Sequence, residues 1–337
     1  MRYRTLGKTN LKISAVGLGG IPIQRTDVEG TVKVIDACVE TGINFIDTAR
    51  GYTVSEEYLG IALEGRREQF ILATKTMVRD YAGMKQEIET SLRALRTDYI
   101  DLYQIHNIGS EAELVKVFSE GGAYQALLEA KQAGKIGHIG ATAHKLEIFE
   151  QLVTEYADKI ETIMFPFNIV ETQGREIMKR CSQENIGFIA MKPMAGGNLE
   201  DTALAMKYIL ANPDCTIAIP GMGNAEEVLQ NAAAAEAGKL TREELEKCEK
   251  IRKELGTTFC RRCGYCAPCP VGINIANNFV FVTYLRNYGL SDWAKDRYNS
   301  MPSKAEDCVK CGLCETRCPY NLPIRDMLEK VARDMKG

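Results

Sequence analysis

The sequence predicts an α/β protein in which a (β/α)₈ barrel is joined to a small, cysteine-rich, helical C-terminal domain. Three features lead to this prediction. Short apolar runs alternate with amphipathic stretches from about residue 11 to residue 235. A charged segment, roughly 242–255, then ends at Gly256. Beyond that glycine lie eight of the twelve cysteines of the chain. We therefore expect a barrel domain over 1–255 and a second domain over 256–337.

The apolar runs have the character of strands that are covered on both faces. They are short and mostly apolar, which is typical of parallel strands in α/β proteins. The predicted strands are 13–18, 44–48, 70–75, 100–105, 136–142, 162–167, 187–191 and 216–219. Eight strands that alternate with helices over this length favour a barrel. A doubly wound open sheet is the alternative that the strand count leaves open.

Charge and hydropathy exclude several classes of function. The chain has 337 residues and a formal net charge of -3 at pH 7. A slightly acidic protein is not expected to bind nucleic acid or an anionic membrane. The N-terminus has no apolar targeting segment, and no apolar run is long enough to cross a bilayer. We expect a cytoplasmic protein with no membrane association.

The cysteines fall into two groups. Eight are clustered near the C-terminus. Because thiols stay reduced in the cytoplasm, clustered cysteines there bind metal more often than they form disulfides. The others are scattered through helical or strand-like segments, where we expect small buried side chains. These are Cys38, Cys181, Cys215 and Cys248.

The last four cysteines have the spacing of a bacterial ferredoxin. Cys308, Cys311, Cys314 and Cys318 form the pattern C-x₂-C-x₂-C-x₃-C, and Pro319 follows. In this pattern three thiolates surround one [4Fe–4S] cluster, and the fourth ligates the other cluster of the pair.

The first cysteine motif is similar but closes one residue sooner. Its members are Cys260, Cys263, Cys266 and Cys269. With the same crossing, Cys269 joins the second set and Cys318 joins the first. The sequence thus predicts two [4Fe–4S] clusters. Two zinc sites are the alternative, although zinc more often takes two separated pairs of ligands. An apolar helical pattern around 279–285 makes the domain resemble an α-helical ferredoxin.

Polar residues stand where the early predicted strands end. Asp47 ends the second strand, Lys75 the third and His106 the fourth. Tyr52 follows Asp47 by five residues and is expected in the next loop. The C-terminal ends of barrel strands meet at one mouth, where catalytic residues lie. We expect these four side chains to form an active site there.

This set of residues has a coherent acid–base chemistry. A tyrosine has an ordinary pKa of ~10, and a nearby lysine cation lowers that pKa by favouring the phenolate. An aspartate keeps the lysine charged, and a neutral histidine orients a carbonyl oxygen. Such a site protonates the oxygen while hydride reaches the carbonyl carbon. The residues therefore predict interconversion of a carbonyl and an alcohol, with Tyr52 as the proton donor.

The barrel resembles the aldo-keto reductase superfamily over nearly its whole length. The matching stretches are 6–19, 47–52, 55–56, 59–60, 134–140 and 219–231. Together with the cysteine motifs, they make the chain similar to the branch that carries a C-terminal ferredoxin-like domain. The resemblance implies an oxidoreductase with a small carbonyl or alcohol substrate and NAD(P)H as cofactor. It also implies a catalytic tetrad of Asp47, Tyr52, Lys75 and His106.

The resemblance indicates where the cofactor binds, although several positions differ from the family pattern. Thr142, Ala143 and Met164 stand where the family usually has serine, asparagine and glutamine. Glu227 stands where an arginine would contact the 2′-phosphate of NADPH, and its charge would repel that phosphate. Glycine-rich turns follow the seventh and eighth strands, the usual phosphate position in barrels. The expected cofactor-binding residues are Thr142, Lys192, Gly196, Gly197, Gly221, Met222, Gly223 and Asn231.

The number of electrons that each cofactor transfers leaves alternatives for the cofactor and for the role of the clusters. A nicotinamide exchanges two electrons as hydride, whereas a [4Fe–4S] cluster passes one at a time and a flavin does both. A flavin near Lys192 is therefore the alternative cofactor. The clusters also suggest a redox partner protein, or a chain that is chiefly an electron-transfer module. Arg50 is expected either to attract an anionic substrate or to pair with a carboxylate.

Overall fold

The computed structural model describes residues 1–236, 238–256, 258–262 and 264–336, and the chain forms two compact units. The first unit comprises Met1–Met194 and Asp201–Leu240. The second comprises Ala195–Glu200 and Thr241–Gly337. Helix Arg242–Gly256 thus groups with the second unit, whereas the sequence placed residues 1–255 in the barrel domain. The domain limits stay a prediction.

The first unit is built on a closed parallel sheet. Its strands are β3 (Leu18–Gly19), β4 (Phe45–Asp47), β5 (Ile71–Thr76), β6 (Ile100–Ile108), β7 (Ile136–Ala143), β8 (Thr162–Pro166), β9 (Gly187–Met191) and β10 (Ile217–Ile219). They follow one another in the sheet in chain order, and all neighbours are parallel. Parallel bridges from Val16 to Ala218 and from Gly19 to Gly221 join the two edges. The predicted (β/α)₈ fold is confirmed, and the open-sheet alternative is wrong.

The first predicted strand, 13–18, is divided into two elements. Strand β2 (Lys12–Ser14) pairs antiparallel with β1 (Tyr3–Thr5) in a hairpin, and the barrel strand β3 begins four residues later. The Ser14 hydroxyl donates a hydrogen bond to the Val16 carbonyl, which turns the chain between the two pieces. Apolar character alone cannot reveal this turn, because both pieces are buried.

Helices cover the outside of the sheet. They are α1 (Val28–Thr41), α2 (Ser55–Ala62), α3 (Tyr81–Ala94), α4 (Glu111–Phe118), α5 (Ala123–Gln132), α6 (Leu146–Glu155), α7 (Arg175–Gln183), α8 (Thr202–Leu210) and α9 (Ala225–Ala234). Several begin at a side chain that accepts a hydrogen bond from a backbone N–H of the first turn, as Asp80 does for α3 and Asn224 for α9. Such caps satisfy donors that the helix itself leaves free.

The barrel interior is filled by apolar side chains. Leu6 and Ile13 enter it from the N-terminal hairpin and the turn that joins its strands. Leu6 lies against Gly187, the first residue of β9, so it fills the end where the strands begin. The strands contribute Phe45, Ala73, Leu102, Met164, Ile189, Met191, Ile217 and Ile219. The end where the strands finish therefore remains the place for polar chemistry.

The second unit is helical. It contains α10 (Arg242–Gly256), α11 (Ile275–Asn287), α12 (Ser291–Asn299), the short α13 (Leu313–Thr316) and α14 (Ile324–Lys336). Its core includes Phe279 and Val282 of α11 and Leu328 and Val331 of α14. The helical pattern predicted around 279–285 is therefore present. None of the described helices in either unit is long and apolar enough to cross a membrane.

The four cysteines outside the motifs are buried, and three have strongly raised pKa values. Burial raises the pKa of the Cys38, Cys181 and Cys215 thiols to about 12. Cys248 is also buried, on α10. These thiols stay protonated at neutral pH and behave as small apolar side chains.

A half-buried polar cluster joins β7 to β8 near the start of the two strands. Glu161 Oε2 lies 2.5 Å from His138 Nδ1, and Glu161 Oε1 accepts a hydrogen bond of 2.5 Å from Lys131 Nζ. Burial alone would raise the pKa of Glu161, but the His138 and Lys131 hydrogen bonds outweigh it and lower the pKa to about 2. His138 is thus a structural residue away from the mouth.

We expect Glu161→Gln to destabilise the protein by about 2 kcal/mol at pH 7, because the neutral amide weakens the bonds of the carboxylate to Lys131 and His138. Since folding lowers the pKa of Glu161, its carboxylate contributes stability above the ordinary pKa of 4.5. That contribution is lost as the pH falls from 4.5 towards about 2. Urea denaturation of both proteins at pH 7 and about pH 3, followed by circular dichroism, measures the difference.

Glu64→Gln is the matched control, because Glu64 is exposed and its only described partner, Arg96, lies 3.5 Å away at the surface. Exposed pairs contribute about 0.5 kcal/mol or less. A destabilisation by Glu161→Gln that is equally large at both pH values would contradict this account.

Candidate functional site

Three neighbouring strands place polar side chains at the mouth of the barrel. Asp47 is the last residue of β4, Lys75 the last but one of β5, and His106 lies near the end of β6. Tyr52 lies in the loop that follows β4, where its backbone N–H donates to the Ala49 carbonyl at 3.0 Å. The structure thus brings together the four residues that the sequence singled out.

Lys75 and Asp47 form a buried ion pair. Lys75 Nζ donates to Asp47 Oδ2 at 2.5 Å and to the Thr48 carbonyl at 2.8 Å. Gln104 Nε2, from β6, donates to Asp47 Oδ1 at 3.0 Å. Asp47 is 3% exposed and Lys75 is 1% exposed, so neither charge is solvated by water. Three adjacent strands therefore share one polar cluster.

Burial and pairing act in opposite directions on these two groups. Complete burial raises the pKa of Asp47 and lowers the pKa of Lys75, because it disfavours both charges. Their mutual attraction and the Gln104 hydrogen bond oppose the shift of Asp47. Asp47 and the Glu56 carboxylate oppose the shift of Lys75. The lysine therefore depends on its acidic neighbours to remain charged.

Tyr52 lies beside both Lys75 and His106. Lys75 Nζ is 4.9 Å from the centroid of the Tyr52 ring. The Tyr52 and His106 rings meet edge to face, with centroids 6.0 Å apart and planes at 88°. This geometry places both a cation and an imidazole beside the phenol.

His106 is held in its neutral form. Burial lowers its pKa well below the usual range, and the charges of Lys75, Arg79 and Lys192 lower it further. Its Nδ1 is buried and has no hydrogen-bond partner among the described residues. A neutral imidazole can donate one hydrogen bond to an oxygen without competing for the proton.

Two residues of this polar cluster were missed by the sequence reasoning. Gln104 and Glu56 are buried, and both act on the Lys75–Asp47 pair. The sequence signal for Gln104 was a polar residue within an otherwise apolar strand, and the signal for Glu56 was a glutamate at the start of a helix. Neither signal says which way the side chain points. Of the two roles expected for Arg50, the structure supports pairing with carboxylates, because its guanidinium binds Glu56 and Glu87.

The expected cofactor residues of the first unit lie at or just beyond the ends of later strands. Thr142 is near the end of β7, and its Oγ1 accepts a hydrogen bond from the Asn107 N–H at 2.6 Å. Lys192 directly follows β9 with a left-handed φ of 57°. The Lys192 carbonyl accepts from Asn168 Nδ2 at 2.9 Å. Gly221 pairs with Gly19 where the sheet closes.

The loop after β10 is bonded internally by an acidic side chain. Glu227 Oε2 accepts a hydrogen bond from the Gly223 N–H at 2.6 Å and lies 3.6 Å from Arg25. Asn231 Nδ2 donates to the Glu227 carbonyl at 2.8 Å. The buried Oδ1 of Asn231 has no partner in the described part of the chain. Met222 is fully buried, so its side chain supports the loop by packing in the protein interior.

The other glycine-rich turn, with Gly196 and Gly197, groups with the second unit. Both glycines have left-handed φ values, of 70° and 82°. The Gly196 carbonyl accepts a hydrogen bond from Asn287 Nδ2 at 2.8 Å. A Cβ at Gly197 would lie 2.9 Å from the Asn287 Cβ, so this position requires glycine. A phosphate-binding role for this turn stays a prediction.

The described motif cysteines line two cavities of the second unit. One cavity is lined by Cys266, Cys269, Cys308, Cys311 and Cys314. The other is lined by Cys260, Cys266 and Cys318. Cys269 thus lies with the second motif, and Cys318 with the first. The remaining predicted ligand, Cys263, lies outside the described residues.

The two motifs share a backbone conformation that suits an anionic cluster. Arg262 and Gly264 have φ values of 61° and 84°, and the corresponding Lys310 and Gly312 have 56° and 80°. Left-handed residues within a turn direct several N–H groups to one side, which favours anions. In the first motif, the Arg262 N–H donates to Cys260 Sγ at 3.4 Å. Eight thiolates and such donors fit iron–sulfur clusters.

No three histidine, cysteine or acidic side chains within the described ranges converge on a single ion position. A [4Fe–4S] cluster does not need this convergence, because each thiolate ligates a different iron.

Fold and site together define an α/β-barrel oxidoreductase with a cysteine-rich redox domain. The chain belongs to the aldo/keto reductase family, whose sequence profile matches residues 15–203, more than half of its length. A 4Fe-4S dicluster domain matches residues 259–323.

Individual proteins of known sequence or structure agree with this assignment. The chain is 28% identical to YqkF, an uncharacterized oxidoreductase of Bacillus subtilis, over 75% of this chain and 97% of that protein. It is 28% identical to an L-galactose dehydrogenase of Arabidopsis thaliana, over 69% of this chain and 88% of that protein. The holo structure of aldo-keto reductase AKR11C1 of Bacillus halodurans superposes with a TM-score of 0.65 at 28% identity, covering 74% of this chain and 96% of that one. These matches give no support to the flavin alternative.

Proposed function

We propose that this oxidoreductase interconverts a small carbonyl compound and its alcohol at the mouth of the barrel, with Tyr52 as the proton donor. The observation that carries the proposal is the position of Lys75, paired with Asp47 and 4.9 Å from the Tyr52 ring. A cation beside a phenol favours the phenolate, and this supports Tyr52 as the group that gives its proton to the carbonyl oxygen.

The neighbouring residues orient the substrate and keep the charges in place. His106, held neutral, donates a hydrogen bond to the carbonyl oxygen, which then lies between the imidazole and the Tyr52 hydroxyl. Asp47 pairs with the lysine, and Gln104 donates to Asp47 and holds it in place. In the direction of reduction, the Tyr52 proton passes to the oxygen as the carbonyl becomes an alcohol.

NAD(P)H is the family's usual cofactor and supplies the hydride when bound. The buried, unpartnered Oδ1 of Asn231 fits a ligand that brings an N–H or O–H donor. Thr142, Lys192 and the loop of Gly221, Met222 and Gly223 would hold the dinucleotide. Glu227, which accepts the Gly223 N–H and pairs with Arg25 at 3.6 Å, gives this loop a carboxylate where a 2′-phosphate would need a cation.

We also propose the ligand sets of two [4Fe–4S] clusters. One set is Cys260, Cys263, Cys266 and Cys318, and the other is Cys269, Cys308, Cys311 and Cys314. The cavities lined by the described cysteines support this crossing. The clusters supply one-electron transfer, which suits exchange with a redox partner protein.

We expect Tyr52→Phe to lower kcat for reduction of 4-nitrobenzaldehyde, a probe aldehyde, by about 100-fold or more, because the proton donor is lost. Binding of NADH or NADPH, measured by fluorescence quenching, stays within about twofold. Tyr3→Phe, on the N-terminal hairpin, is the matched control and keeps full turnover. A Tyr52→Phe variant as active as the control would refute the role of Tyr52.

We expect the enzyme to prefer NADH to NADPH, and Glu227→Gln to reduce that preference by about tenfold in kcat/KM. The glutamine carbonyl can still accept the Gly223 N–H, so the change isolates the charge. Glu226→Gln removes a charge one residue away that contacts Gln230 only at the surface, and serves as control. If both variants show the same ratio as the parent, Glu227 does not set the preference.

We expect an anaerobically purified protein to hold about eight irons per chain, and about four in Cys260→Ser or in Cys269→Ser. Because the proposed sets place these two cysteines on different clusters, the double variant should hold almost none. Cys248→Ser, in the same unit but outside the motifs, should retain all eight. A double variant that still holds about four irons would show that Cys260 and Cys269 serve the same cluster.

A further inference from the structure

Arg50 lies in the turn that carries Tyr52 and bonds to the neighbouring strand β5. This turn, residues 48–54, joins β4 to α2, and Thr53 within it has a left-handed φ of 42°. We propose that Arg50 is a positioning residue that fixes Tyr52 over Lys75. This inference rests on the proposed role of Tyr52 and extends it to a residue outside the tetrad.

Arg50 makes three connections that converge on the strand of Lys75. Its backbone N–H donates to the Lys75 carbonyl at 3.0 Å. Its guanidinium pairs through Nη1 with Glu56 Oε2 at 2.6 Å and through Nε with Glu87 Oε2 at 3.0 Å. The backbone and the side chain of Arg50 therefore attach the turn to its surroundings at three separate points.

The two carboxylates are themselves attached to the residues on either side of Lys75. Glu56 Oε1 accepts from the Thr74 hydroxyl at 2.7 Å, and Glu87 Oε2 accepts from the Thr76 hydroxyl at 3.1 Å. Arg50 thus spans from the position before Lys75 to the position after it. Tyr52 lies two residues further along the turn. The attachments of Arg50 on both sides of Lys75 therefore fix the position of Tyr52 relative to Lys75.

Glu56 is a firm anchor because it is buried and fully bonded. It is 2% exposed, and its Oε1 also accepts from the Ser91 hydroxyl of α3 at 2.8 Å. A buried carboxylate needs a cation to offset its desolvation, and Arg50 is the cation that contacts it. Losing the arginine would free the turn and leave the Glu56 charge uncompensated near Lys75.

A guanidinium is suited to this place in a way that an ammonium is not. Its planar fork of donors reaches two acceptors in fixed directions, whereas a lysine presents one compact charge on a flexible stem. A lysine at position 50 can keep the charge and the pair with Glu56. It cannot also hold Glu87, so the turn would be held on one side only.

The contacts also separate this role from recognition of an anionic substrate. Arg50 is only 25% exposed in its side chain, and its charge faces Glu56 and Glu87. Its contribution to turnover is therefore expected through the position of Tyr52. That predicts a change in kcat and in its pH dependence, with little change in ligand affinity.

The test compares Arg50→Lys and Arg50→Met with the parent protein, using 4-nitrobenzaldehyde as the probe aldehyde. A displacement of the proton donor by about 1 Å costs up to about 100-fold in rate. We expect kcat to fall about tenfold in Arg50→Lys and about 100-fold in Arg50→Met. The pKa that governs kcat should rise in both variants, because Tyr52 is less firmly held near the lysine cation.

Arg66→Met is the matched control. Arg66 also bonds a carboxylate, that of Asp36, and a carbonyl, that of Ala62, but it precedes β5 at the opposite end of the strand. We expect it to lose some thermal stability while its kcat and pH profile stay within about twofold of the parent. KM for the aldehyde and dinucleotide binding should stay within about twofold in the Arg50 variants as well.

The outcomes are distinct. A folded Arg50→Lys with the kcat and pH profile of the parent overturns the positioning role, even if Arg50→Met fails to fold. An Arg50 variant whose KM rises while kcat is unchanged also overturns it, because that is the signature of a binding residue. Full activity of Tyr52→Phe would instead refute the proposed function itself, whatever the Arg50 variants do.

Discussion

The buried ion pair of Lys75 and Asp47 is the interaction on which the barrel site depends. Two charges removed from water are costly unless their geometry is good and further hydrogen bonds satisfy them. Here the Thr48 carbonyl accepts a second hydrogen bond from the lysine, and Gln104 donates one to the aspartate. The pair therefore requires β4, β5 and β6 in one register, because a shift of one residue would turn each side chain to the opposite face. Fold and chemistry are specified by the same contacts.

Both positively and negatively charged side chains surround the mouth of the barrel. Lys75, Arg79 and Lys192 all act on His106, which stays neutral among them. The positive charges are distributed over several strands and loops. The carboxylate of Asp47 pairs with Lys75, and those of Glu56 and Glu87 pair with Arg50. Under the proposed function, a carbonyl oxygen that gains negative charge would lie among these cations and hydrogen-bond donors. Preorganised dipoles and charges of this kind are the usual basis of catalysis by barrel enzymes.

Much of the barrel could be predicted from sequence, because strand ends and cysteine spacings are local patterns. The apolar runs located the eight strands, and the polar residues at their ends located Asp47, Lys75 and His106. The division of the first strand was missed, since its cause is a hydrogen bond of Ser14 that leaves no trace in hydropathy. The partners of Arg50 and the bond from Gly223 to Glu227 were also missed, because they join side chains whose directions only the fold decides. The turn of Gly196 looked like part of the barrel because it follows a barrel strand, yet its packing partner lies some ninety residues further on.

The apolar side chains of Leu6 and Ile13, from the N-terminal hairpin, have a consequence for ligand binding. Within the described residues they fill the barrel at the end where its strands begin. Under the proposed function, a carbonyl compound and a dinucleotide would therefore share the opposite end, beside Lys75. If the dinucleotide lies deeper there, it would bind before the substrate and leave after the product. A few apolar side chains near the start of the chain would then set the order in which the two ligands bind.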